Sequence, residues 1–178
     1  MFRARFSNTI SHSLRRTLVR YLFNHLFKMV VVVDFCLSAA TNEDFDFLYQ
    51  LKKIAYKEYI EQTWGWDEEF QVKFHKENFS TENTKIIEVG HKQIGTVDVK
   101  ESTLNIFISG LYLLQEYQSK GIGTKIIKDL IEEAEAKKKR LELEVLKVNS
   151  RAKKLYESLG FILEDRDKNK YFMYRIFQ

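Results

Sequence analysis

Phe107-Ile108-Ser109-Gly110-Leu111-Tyr112-Leu113-Leu114, followed after three residues by Gln118-Ser119-Lys120-Gly121-Ile122-Gly123-Thr124, is the stretch on which the fold turns. The first run is apolar and reads as a strand. Beyond the glycines, Ile126, Ile127, Leu130, Ile131 and Ala134 recur at spacings of three and four, the pattern of an amphipathic helix. A strand, a pair of glycines and a helix start together make an anion site. The glycines remove side chains that would block close approach, and the first helical turn offers unpaired N–H groups at the positive end of its dipole. Two familiar phosphate loops are excluded by spacing. A P-loop needs Gly-Lys-Ser/Thr, whereas Gly123 is followed by Thr124-Lys125. A dinucleotide fingerprint needs a third glycine where Ile126 stands.

Working outward, the chain has 178 residues, 44% of them hydrophobic and 30% charged, which suits one globular domain with a sizeable core. No apolar run is long enough for a membrane span, since Met29–Val33 is broken at Asp34. The single cysteine, Cys36, excludes an internal disulfide framework, and its apolar surroundings make it a small core residue rather than a nucleophile. His75 and His91 lack partners at metal-binding spacing and read as surface residues, so no metal is expected.

The net charge of +4 is unevenly placed. Residues 1–28 hold six of the 29 Lys/Arg and none of the 25 Asp/Glu, which leaves the remainder with 23 against 25. A near-neutral body argues against a nucleic-acid partner. The run Lys137-Lys138-Lys139-Arg140 fits a solvated helix C-terminus. Residues 1–28 have the composition of an organelle transit peptide. A weakly ordered extension, or translated sequence upstream of a start at Met29, is the favoured reading, because the domain begins just after Met29. The domain proper is expected over 29–178, in the cytoplasm unless that leader directs it elsewhere.

Val30 to Leu37 reads as a first strand. Thr41 then caps a helix carrying Phe45, Leu48, Leu51, Ile54 and Ala55 inward. Asp67 caps a second helix bearing Phe70, Phe74 and Phe79. Lys85–Val89 and Gln93–Val99 form a hairpin around Gly90-His91-Lys92. Thr103–Leu114 is the strand into the glycine loop, and a helix over 123–138 follows. Leu141–Val145 alternates as a strand, and Asn149–Leu159 is a helix closed by Gly160. Phe161–Leu163 and Tyr171–Phe177 make a last strand pair. This order predicts an α/β (α+β) fold with a mixed sheet and helices on its faces, and a right-handed crossover between parallel strands over 103–148.

With these elements in place the sequence resembles the GNAT superfamily of acetyl-CoA-dependent N-acetyltransferases. One motif is Gln118-Ser119-Lys120-Gly121-Ile122-Gly123, similar to the family's Gln/Arg-x-x-Gly-x-Gly/Ala. The other is Asn149 to Phe161, which follows the pattern Asn-x-x-Ala-x-x-Leu-Tyr-Glu-x-x-Gly-Phe. Gln115 stands where many members carry proline. The resemblance implies a mostly antiparallel sheet with a splayed central parallel pair. It further implies acetyl-CoA as co-substrate, with its pyrophosphate on the backbone of Ser119, Lys120, Gly121, Ile122, Gly123 and Thr124. The pantetheine arm would lie along Leu111, Tyr112 and Leu113, with Asn149 binding it and the Leu113 N–H facing the developing oxyanion.

The resemblance also implies direct transfer to an amine, with Tyr156 as general acid toward the departing sulfur. The alternative is a helical tyrosine that only packs, and the surrounding motif favours the acid. Glu144 occupies the place of a base in some members, and a chain of waters could serve instead. Glu142 shares its strand face, as on any solvent-facing strand. For the acceptor, Tyr56, Tyr59, Trp64 and Trp66, with Glu58, Glu61 and Asp67 nearby, would suit a cationic amine. A hydrophobic clasp between two helices explains the same residues. Homodimers are frequent in the family. A non-catalytic acyl-CoA-binding module on the same fold is the alternative function.

Overall fold

A computed structural model describes residues 33–177, so the basic stretch over 1–28 lies outside the described residues. The strands are β1 (Cys36–Ala39), β2 (Thr84–Val89), β3 (Lys92–Glu101), β4 (Asn105–Leu113), β5 (Arg140–Leu146), β6 (Ile162–Glu164) and β7 (Lys170–Arg175). They form one sheet in the order β1-β2-β3-β4-β5-β7-β6. Only β4 and β5 run parallel; the other neighbours are antiparallel. The helices are α1 (Phe45–Trp64), α2 (Glu68–Asn78), α3 (Ile122–Ala136) and α4 (Ser150–Ser158).

The strong apolar stripe expected after the glycine loop is the keystone of packing. Ile122, Ile126, Ile127, Ile131 and Ala134 of α3 are all buried. Ile127, Ile131 and Ala134 close on Ile106, Ile108, Leu141, Leu143, Val145, Phe161 and Met173. Ile122 and Ile126 close on Ile87, Ile94 and Val97. Each fully buried isoleucine contributes about 1.5–3 kcal/mol, so α3 is anchored on both sides of the sheet's midline. A third cluster, Ala40, Leu48 and Ile86, holds α1.

Local signals explain most boundaries. The β2–β3 turn places Gly90 and His91 both at positive φ, 55° and 66°, the requirement of a two-residue hairpin turn. Asp67 accepts from the Phe70 N–H at 3.0 Å and starts α2. Helix α4 ends in a Schellman motif, with the Phe161 N–H on the Tyr156 carbonyl, the Gly160 N–H on the Glu157 carbonyl, and Gly160 at φ 82°. The basic run divides as well: Lys137 and Lys139 both pair with Glu101, at 2.8 and 2.6 Å, while Arg140 enters β5 and stacks on Tyr174.

Several expectations fail. Within the described residues the first strand is Cys36–Ala39, later than read, and it lies at the sheet edge. Among the described residues only β2 flanks this strand, and Cys36, which opens it, is exposed rather than a core residue. Ile54 is 64% exposed: past Leu51, helix α1 leaves the sheet-facing core and borders an open cleft. On α2, Phe70 and Phe74 stack on each other in solvent, whereas His75 is only 6% exposed. The His75 ring lies 4.5 Å from that of Phe45 and 5.7 Å from that of Phe79, with Nε2 3.1 Å from the Phe45 carbonyl. That hydrogen bond makes histidine a better inward group here than its polarity suggests, and burial lowers its pKa.

Candidate acyl-donor and acceptor cleft

The cleft begins with one surplus residue. Asp98 of β3 pairs with Gly110 of β4, yet Val99 pairs with Ile108, so Ser109 is a bulge. A bulge bends its strand and increases local twist. Here it coincides with the end of the parallel pairing: β4 and β5 are matched only from Asn105↔Arg140 to Ile108↔Leu143. Beyond that point β4 stays with β3 as far as Leu113, and β5 stays with β7 as far as Leu146. Two strands that start as neighbours therefore part, and a cleft of about 600 Å³ opens between them.

The parting frees a backbone edge. The Leu114 N–H reaches the Ile94 carbonyl at 2.9 Å, so strand alternation turns the Leu113 N–H toward the side that β5 has left. The bulge also resets side-chain parity. Ile106 and Ile108 face the α3 core before it, and Leu111 and Leu113 do so after it. Tyr112 thereby faces α1, its ring 5.6 Å from Tyr56 in an edge-on contact. Gly110 is needed there, because a Cβ would lie 2.6 Å from Asp98 Oδ2 and 2.7 Å from the Tyr112 ring.

At one end of the cleft sits the glycine loop. Gly121 has φ 84°, a left-handed conformation that a side chain would strain, and Ser119 adopts φ 59°. The first helical bond of α3 is Lys125 N–H to the Gly121 carbonyl, which leaves the amides of Ile122, Gly123 and Thr124 without intrahelical partners. No acidic residue occupies this first turn. Gln118 ties the loop to the strand end, donating from Nε2 to the Leu113 carbonyl at 2.9 Å.

Helix α4 and strand β5 supply the opposite wall. Asn149 caps α4, its Oδ1 accepting from the Ala152 N–H at 3.0 Å. Burial pushes the Tyr156 phenol up to about 12, and burial followed by the nearby Tyr156, Tyr59 and Glu144 does the same for Tyr56. Burial raises Tyr112 as well. All three phenols therefore keep their protons at neutral pH. Glu144 borders the cleft, with Oε2 accepting from Lys170 Nζ at 2.7 Å.

Of the residues singled out from the sequence, Leu111, Tyr112, Leu113, Gln118, Ser119, Gly121, Gly123, Thr124, Glu144, Asn149 and Tyr156 all line this cleft. Ile122 does not, being buried under the loop, and the Lys120 ammonium turns to the Tyr117 ring, 5.1 Å from its centroid. The aromatic segment divides. Tyr56, Glu58 and Tyr59 line the cleft. Trp66 instead joins a polar clasp between α1 and α2, where Glu68 accepts from Trp66 Nε1 at 2.8 Å, Tyr49 at 2.8 Å and Lys53 at 2.6 Å. Trp64 is half exposed at the helix end, and Asp67 is spent on its cap.

Sequence reading missed Lys170, which reaches Glu144 only through the β5–β7 pairing, and Arg151. Arg151 had a detectable signal: it is a cation in the first turn of a helix, where the dipole favours acids. Among the described residues no group of three or more His, Cys, Asp or Glu is placed to hold a metal, and no helix is long and apolar enough to cross a membrane.

Comparison with known proteins identifies the family in which this splayed parallel pair and glycine loop belong. The model of the acetyltransferase (GNAT) family matches residues 45–161. The PaiA N-acetyltransferase of Thermoplasma acidophilum, solved with coenzyme A, superposes with a TM-score of 0.66 at 20% identity, over 81% of this chain and 99% of that one. The N-acetyltransferase PseH of Campylobacter jejuni, solved with acetyl coenzyme A, gives 0.53 at 22% identity, over 80% and 99%. A bovine thialysine N-ε-acetyltransferase is 46% identical over 57 residues, 32% of this chain and 34% of that protein. The match thus spans about a third of that relative's length. The chain belongs to the GNAT family of acetyltransferases.

Proposed function

We propose that this protein transfers an acetyl group from acetyl-CoA to a primary amine of a small molecule or peptide, by direct attack within a ternary complex. The observation that carries this is the parting of β4 and β5, which presents a free strand edge, a glycine loop and two phenol-bearing walls to one space. The loop amides from Ser119 to Thr124 bind the pyrophosphate. The edge of Leu111 to Leu113 pairs with the amides of the pantetheine arm, and Asn149 holds that arm from the α4 side.

The chemistry follows from charge. The amine nitrogen attacks the thioester carbonyl, and the oxygen gains negative charge that the Leu113 N–H stabilises from a fixed position. The nitrogen must shed a proton, which Glu144, or water ordered by it, accepts. When the C–S bond breaks, the electron pair stays on sulfur. A phenol at about 12 keeps its proton through this step, so Tyr156 donates a hydrogen bond to the thiolate. A free thiol titrates at ~8.5, below this phenol, so the sulfur leaves as a thiolate hydrogen-bonded to Tyr156. It then takes a proton from water, which balances the proton the amine passes to Glu144 or its ordered water. Tyr56, Tyr59 and Glu58 border the acceptor's approach. The bovine relative's name describes an amine acceptor, which agrees with this reading.

The test is a thermal-shift titration with acetyl-CoA, followed by an acetyl-CoA-consumption screen over small amines, polyamines, amino acids and peptide N-termini. Ligand at one hundred times its Kd stabilises the native state by about 2.7 kcal/mol, a clear shift in Tm. Turnover on at least one amine is expected. No shift at saturation would sink the donor assignment, and a shift without turnover across the panel would leave a binding module.

A further inference from the structure

We infer that Arg151 is a charged binding group for the diphosphate of the acyl donor, a side-chain complement to the backbone amides of the glycine loop; this rests on the donor assignment above. Arg151 occupies the first turn of α4, yet its guanidinium crosses to the loop before α3. Nη1 donates to Gln118 Oε1 at 2.8 Å, and Nη2 donates to Ser119 Oγ at 2.8 Å. It lines the cleft and is exposed.

Three features make a purely structural latch an insufficient account. A cation in a first helical turn stands at the wrong end of the dipole, and α4 has no acid in that turn to offset it. No carboxylate of the described residues pairs with Arg151, and both of its partners are neutral oxygens that a glutamine or asparagine would satisfy. A guanidinium carries five N–H donors, and these two bonds leave the others free beside the loop amides. Its planar fork matches phosphate oxygens two at a time, and a charge at this place adds what the backbone dipoles lack. The residue that Arg151 grips, Ser119, has the left-handed φ of 59°, and Gln118 carries the contact on to the Leu113 carbonyl. The same side chain thereby sets the shape of the loop and faces the anion that the loop receives.

The experiment measures binding of CoA, 3′-dephospho-CoA and pantetheine by calorimetry to the wild-type chain, Arg151→Gln and Arg151→Lys, at low and moderate salt. Arg151→Gln should weaken CoA and 3′-dephospho-CoA alike, by about ten- to a hundred-fold, and leave pantetheine unchanged. Arg151→Lys should recover part of the loss, since it keeps the charge without the fork. CoA affinity should also fall less steeply with salt in Arg151→Gln. Unchanged CoA binding would overturn the inference. So would an equal loss for pantetheine, which marks a structural role, or a loss for CoA alone, which moves the contact to the 3′-phosphate. Failure of the wild-type chain to bind CoA would overturn the donor assignment itself, and the inference with it.

Discussion

The two sides of the cleft are built on different principles. The side proposed for the donor, from β4 through α3 and β5 to α4, offers chiefly backbone: a strand edge, helical amides and a glycine at φ 84°, with the Arg151 guanidinium beside them. The side proposed for the acceptor, from α1, offers side chains, with Tyr56, Glu58 and Tyr59 on a helix that the Glu68 clasp also holds. A donor common to a whole family can be met by atoms every residue possesses. An acceptor that differs from one relative to the next has to be met by atoms that mutation can exchange.

The contrast breaks hardest at Gly121. Gly121→Val forces a β-branched side chain into left-handed backbone, and acetyl-CoA affinity should fall at least about a hundred-fold. Tyr59→Ala, on the other wall, should leave donor Kd within two-fold while raising the acceptor KM several-fold. Calorimetry with acetyl-CoA and steady-state kinetics with the amine found in the screen separate the two effects. Equal donor losses in both variants would show that the two walls are not independent.

Tyr156 lies between the two regimes, a side chain in the donor wall. Tyr156→Phe should lower kcat by about a hundred-fold while donor affinity stays within two-fold, because the hydrogen bond to sulfur strengthens only as charge develops there. An unchanged kcat would reduce Tyr156 to packing against Phe161, whose ring lies 5.6 Å away.

The smallest effect sharpens the contrast from the acceptor side. Hydrogen bonds from Lys53, Trp66 and Tyr49 hold the Glu68 carboxyl down to about 2. A depressed folded-state pKa contributes stability that is present above the ordinary carboxylate range, near 4.5, and is lost as pH falls toward 2. Of the two tryptophans, Trp66 donates into this clasp and Trp64 ends α1 two residues before it. Their fluorescence should therefore report loosening of α1 against α2 over that window, and Glu68→Gln should flatten the transition.

How much could be read in advance follows the same division. The donor side was legible because its function needs particular backbone, and only certain residues permit it: Gly121 at the loop, Asn149 as a cap, Gly160 to end α4. Even the bulge is written in the spacing, since apolar parity shifts from Ile106 and Ile108 to Leu111 and Leu113. The other side was legible only in part: Tyr56, Glu58 and Tyr59 line the cleft, but burial around them is decided by partners distant in sequence. His75 faces inward through a carbonyl thirty residues away, whereas the more apolar Phe70 and Phe74 stay in solvent. Trp66 was drawn from the cleft by Glu68, and Ile54 was left outside because the sheet opens beneath it. Lys170 meets Glu144 only once β7 has paired with β5.

Ser109 makes the site a matter of counting. Without that one residue, β3 and β4 would run in unbroken register, β4 would have no cause to turn, and the parallel ladder with β5 could continue past Ile108 and Leu143. Every group named above would remain encoded, yet the sheet would be zipped where the proposed reaction lays its thioester. On the proposed reading, point substitution retunes such a fold for a new amine while preserving the cleft. Deletion of Ser109 should therefore abolish the proposed acetyl transfer while the chain still folds, which turnover and circular dichroism together would check.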